Sequence, residues 1–244
     1  MTDGLLLLHA WPVDARMWEP QRAVLPPDLA VVAPDLPGFG GSGLPGDVTT
    51  MGVAADAALS AADAAGMERL VVGGLSFGGY VAFEIWRRAR GRVAGLVLAN
   101  TRAVADSEEA AAARHTLAAR LLDEGNVLAT EPPPLLAEDA PADLQELVRS
   151  WIADQSPQAI AAAVLGMAER PDSTPDLPTI DVPTLVITSS GDRVIAPEVS
   201  AAMAAEIPGA GLEKLDGVGH LSNLEAPDRF TDLLVEHLAT CGIR

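Results

Sequence analysis

The chain has 244 residues, 49% of them hydrophobic, which is ample for a well-buried core. It carries 34 Asp and Glu against 16 Lys and Arg, a net charge of −18, and Lys214 is its only lysine. So acidic a surface repels phosphate backbones and anionic bilayers, which argues against nucleic-acid and membrane partners.

The first residues, MTDGLLLLHAWP, hold an apolar run of four leucines with Asp3 before it and no basic residue. That is neither a secretory signal nor a membrane span, so a soluble cytoplasmic protein is expected. Leu5–His9 reads as the first strand, and Leu29–Ala33 as the second. A glycine-rich turn, 34-PDLPGFGGSG-43, follows. Val53–Ala65 is an alanine-rich helix with acidic residues on one side. Leu70–Gly74 is a third strand, and Gly79–Arg90 a helix carrying Val81, Phe83, Ile85 and Trp86. Gly95–Ala99 is a fourth strand. These strands are apolar on consecutive residues, the pattern of a parallel sheet covered on both faces.

The rhythm breaks at Arg102. From there to about Leu177 no strand is readable, and helical periodicity covers Asp106–Glu124, Asp143–Ala153 and Pro157–Arg170. Proline-rich joints separate them at 131-EPPPLL-136, 140-APAD-143 and 171-PDSTPDLP-178. Strand and helix then alternate again over Val182–Thr188, Pro197–Ala205, Gly211–Leu215 and Asp228–Ala239. The expected fold is a doubly wound, mostly parallel α/β sheet of about six strands with a helical insertion. The core spans 1–101 and 179–244, and the insertion 102–178. Cys241 reads as a bystander, and a lone cysteine excludes an internal disulfide and a cysteine-cluster metal site.

Between the third strand and its helix lies 74-GLSFG-78, a G-x-S-x-G sequence in strand–turn–helix context. A nucleophile on so sharp a turn needs small flanking residues, which Gly74 and Gly78 supply. The helix start aims amides at the site, and the Phe77 N–H can face an oxyanion. A serine needs a base, and four histidines are available. His237 sits in the last helix and reads as solvent-facing. His115 lies in the insertion, within possible reach of substrate. His9 ends the first strand and reads as a brace for the loop after it. His220 lies in a glycine-flanked loop after the last strand, where a parallel sheet gathers its site residues, and is the preferred base. Asp192, in 186-VITSSGDRVIAP-197, is the preferred acid over Asp216 and over Asp181, which precedes its strand. After the fourth strand, the other position for an acid, the chain has Asn100 instead. The second oxyanion donor is the Trp11 N–H, in the loop after the first strand.

Together LLLHAWP, PDLPGFGGSG, GLSFGG, GDRVIAP and GHLSNLEAP run in order from residue 5 to about 230. With them the chain resembles the α/β-hydrolase superfamily, and within it the small capped esterases and 3-oxoadipate enol-lactonases. The resemblance implies a Ser76, Asp192 and His220 triad, oxyanion amides from Trp11 and Phe77, and an insertion that caps the pocket. It implies no metal and no organic cofactor, and a small ester or lactone as substrate. Asp35 with Gly38 and Gly40 is implied to be scaffold. Two features depart from the family. Ala10 stands where a glycine is common, and the usual N-terminal hairpin has no residues to form it. The sheet should then run 4-3-5-6-7-8 in the family's numbering, with a bare edge that could support a homodimer. Ser76 at the elbow argues against relatives with a carboxylate nucleophile, the haloalkane dehalogenases and epoxide hydrolases. Thioesterase, C–C hydrolase, perhydrolase and acyl-transfer or lactone-forming activities would use the same triad, and a ligand-binding receptor would keep only the fold. In the insertion, Trp151 is a candidate pocket residue, and Arg102 and Arg170 are candidate forks for a substrate carboxylate.

Overall fold

The structure, a computed structural model, describes residues 2–243. Six strands form one parallel sheet: β1 (Asp3–Leu8), β2 (Ala30–Val32), β3 (Arg69–Leu75), β4 (Val93–Ala99), β5 (Thr184–Ser189) and β6 (Gly211–Leu215). Their order is β2-β1-β3-β4-β5-β6, all pairs parallel. With β1 as the family's third strand, this is the expected order.

The helices are α1 (Glu19–Arg22), α2 (Met51–Ala64), α3 (Phe77–Ala89), α4 (Glu108–Glu124), α5 (Ala142–Asp154), α6 (Pro157–Ala168), α7 (Pro197–Glu206), α8 (Ser222–Glu225) and α9 (Pro227–Thr240). Caps place several starts. Thr50 Oγ accepts from the Val53 amide at 3.2 Å, so α2 begins two residues earlier than its apolar pattern indicates. Ser107 caps α4 in the same way, which moves that start from 106 to 108. Ser156 caps α6, with Pro157 in the first helical position.

The central strands β1, β3, β4 and β5 are buried along nearly their whole length. The edge strands differ from the sequence reading. β2 is half-buried and β6 is largely exposed, because each has one neighbour in the sheet instead of two. Register brings the carboxyl ends of the central strands level. Leu8 pairs with Gly74, Leu75 with Ala99, and Ala99 with Ile187. Whatever follows those residues therefore emerges on one rim of the sheet.

Between β4 and β5 come only helices and loops. α4 packs mainly against α6, and Leu121, Ile152, Ile160 and Val164 are fully buried there. Close approach joins this insertion to the core. The Thr49 amide donates to the Ala162 carbonyl at 3.0 Å, and a Cβ on Gly166 would collide with the Thr49 carbonyl. No helix among the described residues is long and apolar enough to cross a membrane.

Candidate active site

Ser76 ends β3 and precedes α3 with φ +56° and ψ −113°, a conformation that costs a non-glycine residue about 1–3 kcal/mol. Neighbours over-determine it. The Ser76 amide donates to the Ala99 carbonyl at 2.9 Å, and the Ser76 carbonyl accepts from Thr101 Oγ at 2.8 Å. A Cβ on Gly74 would strike the Gly78 carbonyl, one on Gly78 the Leu8 carbonyl, and one on Gly79 the Thr101 side chain. All three glycines are thus steric requirements of the turn. The Ser76 side chain does not cap the helix it introduces, so its hydroxyl is free for other work.

His220 lies in the loop between β6 and α8 and is completely buried. Its Nδ1 is 2.8 Å from Asp192 Oδ2. An ionised carboxylate can only accept, so Nδ1 carries the proton and Nε2 presents a lone pair. That Nε2 is buried without a protein partner among the described residues. A buried imidazole nitrogen left open is costly in a structural residue and necessary in a base.

Asp192 follows β5 and is held on all sides. Oδ1 accepts from the Val194 and Ile195 amides at 2.8 and 2.9 Å, and Oδ2 accepts from Asn100 Nδ2 at 2.9 Å as well as from His220. Burial by itself would raise this carboxyl. Hydrogen bonds from His220, the Ile195 amide and Asn100 outweigh burial and hold it below the usual carboxylate range.

Asn100 is a residue whose role the sequence does not disclose. It sits just past β4 with φ +45°. Its Nδ2 also reaches Ser189 Oγ at 2.7 Å, and its Oδ1 accepts from Ser222 Oγ at 2.6 Å. One amide therefore ties the ends of β4 and β5 to the start of α8, just past His220, and holds Asp192. The available signal is a short polar residue directly after a buried strand.

The loop after β1 is braced by His9. His9 Nε2 accepts from the Leu36 amide at 2.9 Å and Nδ1 donates to the Ala10 carbonyl at 2.9 Å, so both nitrogens are occupied. Burial pushes its pKa down, and it stays neutral. Asp35 accepts from the Ala15 and Gly41 amides at 3.0 and 2.8 Å, and a Cβ on Gly40 would collide with its carboxylate. The Trp11 indole N–H donates to the Ile160 carbonyl at 3.3 Å, which joins this loop to α6. Phe77 is fully buried, its ring near those of His9 and Phe39.

Residues 5–233 match the model of the alpha/beta hydrolase family. The chain belongs to the α/β-hydrolase family. A thermophilic esterase from Thermogutta terrifontis, solved with malate bound, is 40% identical with a TM-score of 0.93, over 99% of this chain and 90% of that one. The pimeloyl-[acyl-carrier protein] methyl ester esterase of Aromatoleum aromaticum is 29% identical over 92% of this chain and 93% of its own length. The 3-oxoadipate enol-lactonase 1 of Acinetobacter baylyi is 28% identical over 94% of this chain and 86% of its own.

Away from Ser76, Asp192 and His220, this α/β-hydrolase arranges several residues differently from the expectations drawn from sequence. Arg102 and Arg170 do not present free forks. Both bind Asp106, at 2.7 and 2.9 Å, and Arg114 binds it too. Arg170 also donates to the Met167 and Val104 carbonyls and stacks over Tyr80, with Cζ 4.3 Å from the ring centre. His115 is exposed on the outer side of α4. Trp151 is buried among the insertion helices, with the Arg16 guanidinium over its ring at 5.7 Å. His237 is buried rather than solvent-facing, because α9 turns it towards β4. Its Nε2 lies 3.5 Å from Cys241 Sγ, and burial pushes its pKa down. Cys241 is buried against Gly95, and burial pushes its thiol up to about 11, the reverse of what a nucleophile needs. Among the described residues no group of three or more His, Cys, Asp or Glu is placed to hold a metal ion.

Proposed function

We propose that this α/β-hydrolase cleaves a small carboxylic ester or lactone through an acyl-enzyme on Ser76. The observation that carries this reading is His220. Its Nδ1 is engaged by Asp192 while its buried Nε2 is left open, on the same sheet rim as a serine held at positive φ. The relatives named for ester and lactone hydrolysis support the substrate class.

In the proposed reaction Ser76 Oγ attacks the substrate carbonyl as His220 Nε2 takes its proton. Asp192 holds the imidazole in its tautomer and stabilises the imidazolium. The Trp11 and Phe77 amides receive the tetrahedral oxyanion. Collapse expels the alcohol, which takes the proton from His220. His220 then removes a proton from water, the hydroxyl attacks the acyl-enzyme, and the acid leaves as Ser76 recovers its proton. Residues 102–178 act as a cap over residues 1–101 and 179–244, keeping bulk water from the acyl-enzyme. Arg102 and Arg170 are assigned to the root of that cap, since Asp106 already takes their charge.

The test is Ser76→Ala, assayed with short p-nitrophenyl esters, with a lactone panel, and with a serine-directed fluorophosphonate probe. Loss of turnover and of labelling is expected. Undiminished hydrolysis by the variant sinks the assignment. Labelling of the native protein without turnover of any ester or lactone points instead to another acyl acceptor.

A further inference from the structure

Glu225 closes α8, five positions after His220 in the chain. Its Oε1 accepts from the Gly219 amide at 3.0 Å, and its Oε2 accepts from the Ala137 amide at 3.0 Å. Gly219 is the residue before His220, and Ala137 belongs to the helical insertion. One carboxylate thus spans the base loop and the cap.

The same short stretch of insertion touches the acid and base loops twice more. The Leu221 amide donates to the Leu135 carbonyl at 2.9 Å, and Arg193 donates to the Leu136 carbonyl at 3.3 Å. There is no slack in this contact, because a Cβ on Gly219 would strike the Ala137 nitrogen and the Leu136 carbonyl carbon. We propose that Glu225 is a positioning residue, seating residues 135–137 of the cap on the His220 loop so that closure over the site and placement of the base are a single event. This rests on His220 being the base.

The charged groups that act on Glu225 are Asp139 from the insertion and Asp192 from the loop after β5. Burial raises the Glu225 carboxyl first, the Gly219 and Ala137 amides oppose this, and the Asp139 and Asp192 charges add to the rise. Protonation would turn one oxygen into a hydroxyl facing an N–H. The bridge is therefore complete above the raised pKa and half lost as pH falls through it, at less acidic pH than for an ordinary glutamate.

The experiment compares full-length native protein with Glu225→Gln, Glu225→Asp and His220→Ala, using p-nitrophenyl acetate from acid to alkaline pH. Gln keeps one acceptor and sets a donor against the other amide. Asp keeps the charge but is too short to span both. In each Glu225 variant kcat should fall about tenfold, the size of one charge-assisted hydrogen bond, with a smaller change in KM. In Glu225→Gln the acid limb of the kcat/KM profile should also lose the proton that Glu225 contributes. A lowered Tm with native kcat and a native pH profile would show a purely structural strut and overturn the proposal. If Glu225→Gln does not fold, Glu225→Asp carries the kcat test by itself. Inactive His220→Ala beside native-like Glu225 variants removes this inference alone. Full activity in His220→Ala removes the triad reading and this inference with it.

Discussion

Asp192 and Asp106 both have fully buried side chains, and their surroundings divide the molecule into two kinds of region. Asp192 is surrounded by neutral donors and one histidine. Asp106 is surrounded by Arg102, Arg114 and Arg170. Burial raises both carboxyls and their partners lower both by more, yet only the first faces an imidazole, while the second faces guanidiniums that stay charged. A carboxylate that faces permanent cations fastens structure, and one that faces an imidazole can respond to a reaction. The same distinction separates the sheet rim, which is set by close backbone contacts, from the root of the insertion, which is set by ion pairs.

The sharpest way to break this contrast is at the rim. Ser76→Ala should reduce kcat/KM for short esters by about 10⁵-fold or more while leaving the thermal transition near its native position. Asp192→Asn keeps the shape of the acid but not its charge, and should lower kcat by about 10⁴-fold. If Asp192→Asn mainly lowers Tm and leaves kcat intact, Asp192 belongs with Asp106 and the contrast collapses.

Asp106→Asn should do the opposite. Removing the charge leaves Arg170 buried and unpaired beside two further arginines, at a cost of about 3 kcal/mol in unfolding free energy. Turnover per folded molecule should change far less than in Asp192→Asn. Chemical denaturation together with active-site titration separates the two effects. The pH dependence has a definite sign. Asp106 is held below the usual carboxylate range, so its contribution is present above the unfolded pKa and is lost as pH falls through the lower folded one. Native protein should therefore lose stability in acid more steeply than Asp106→Asn does.

The smallest expected effect is at Asn100. Asn100→Ala should lower kcat about tenfold by freeing Asp192 from one of its four hydrogen bonds. Asn100→Asp is the harsher variant, because it sets a second carboxylate against Asp192. An Asn100→Ala variant with native kcat would show that the Val194 and Ile195 amides suffice to hold Asp192.

Much of the rim was legible from neighbouring residues. The run of apolar residues, the glycines of GLSFGG and the following helix pattern all lie within one short segment, and backbone sterics alone demand that arrangement. Strand boundaries held to within two residues because consecutive apolar residues and turn residues are local signals. The half-buried β2 and exposed β6 were not legible, since an edge differs from a centre only in having one neighbour fewer. The insertion was readable as helices but not as contacts. Arg102 and Arg170 look like free cations until Asp106 is seen between them, and His115 and His237 exchange their expected environments once α4 and α9 are docked.

Local chemistry along the chain determined the parallel sheet and the tight turn around Ser76, because each is specified by the conformational demands of a few adjacent residues. Only the tertiary structure decided which polar groups face one another. Asn100 meets Asp192 across 92 positions and Ser222 across 122, and Glu225 meets Ala137 across 88. Donors and acceptors so far apart in the chain carry no mutual signal in sequence. Burial pairs them, because an unpaired polar group in the interior is costly and the fold alone fixes which partner is within reach.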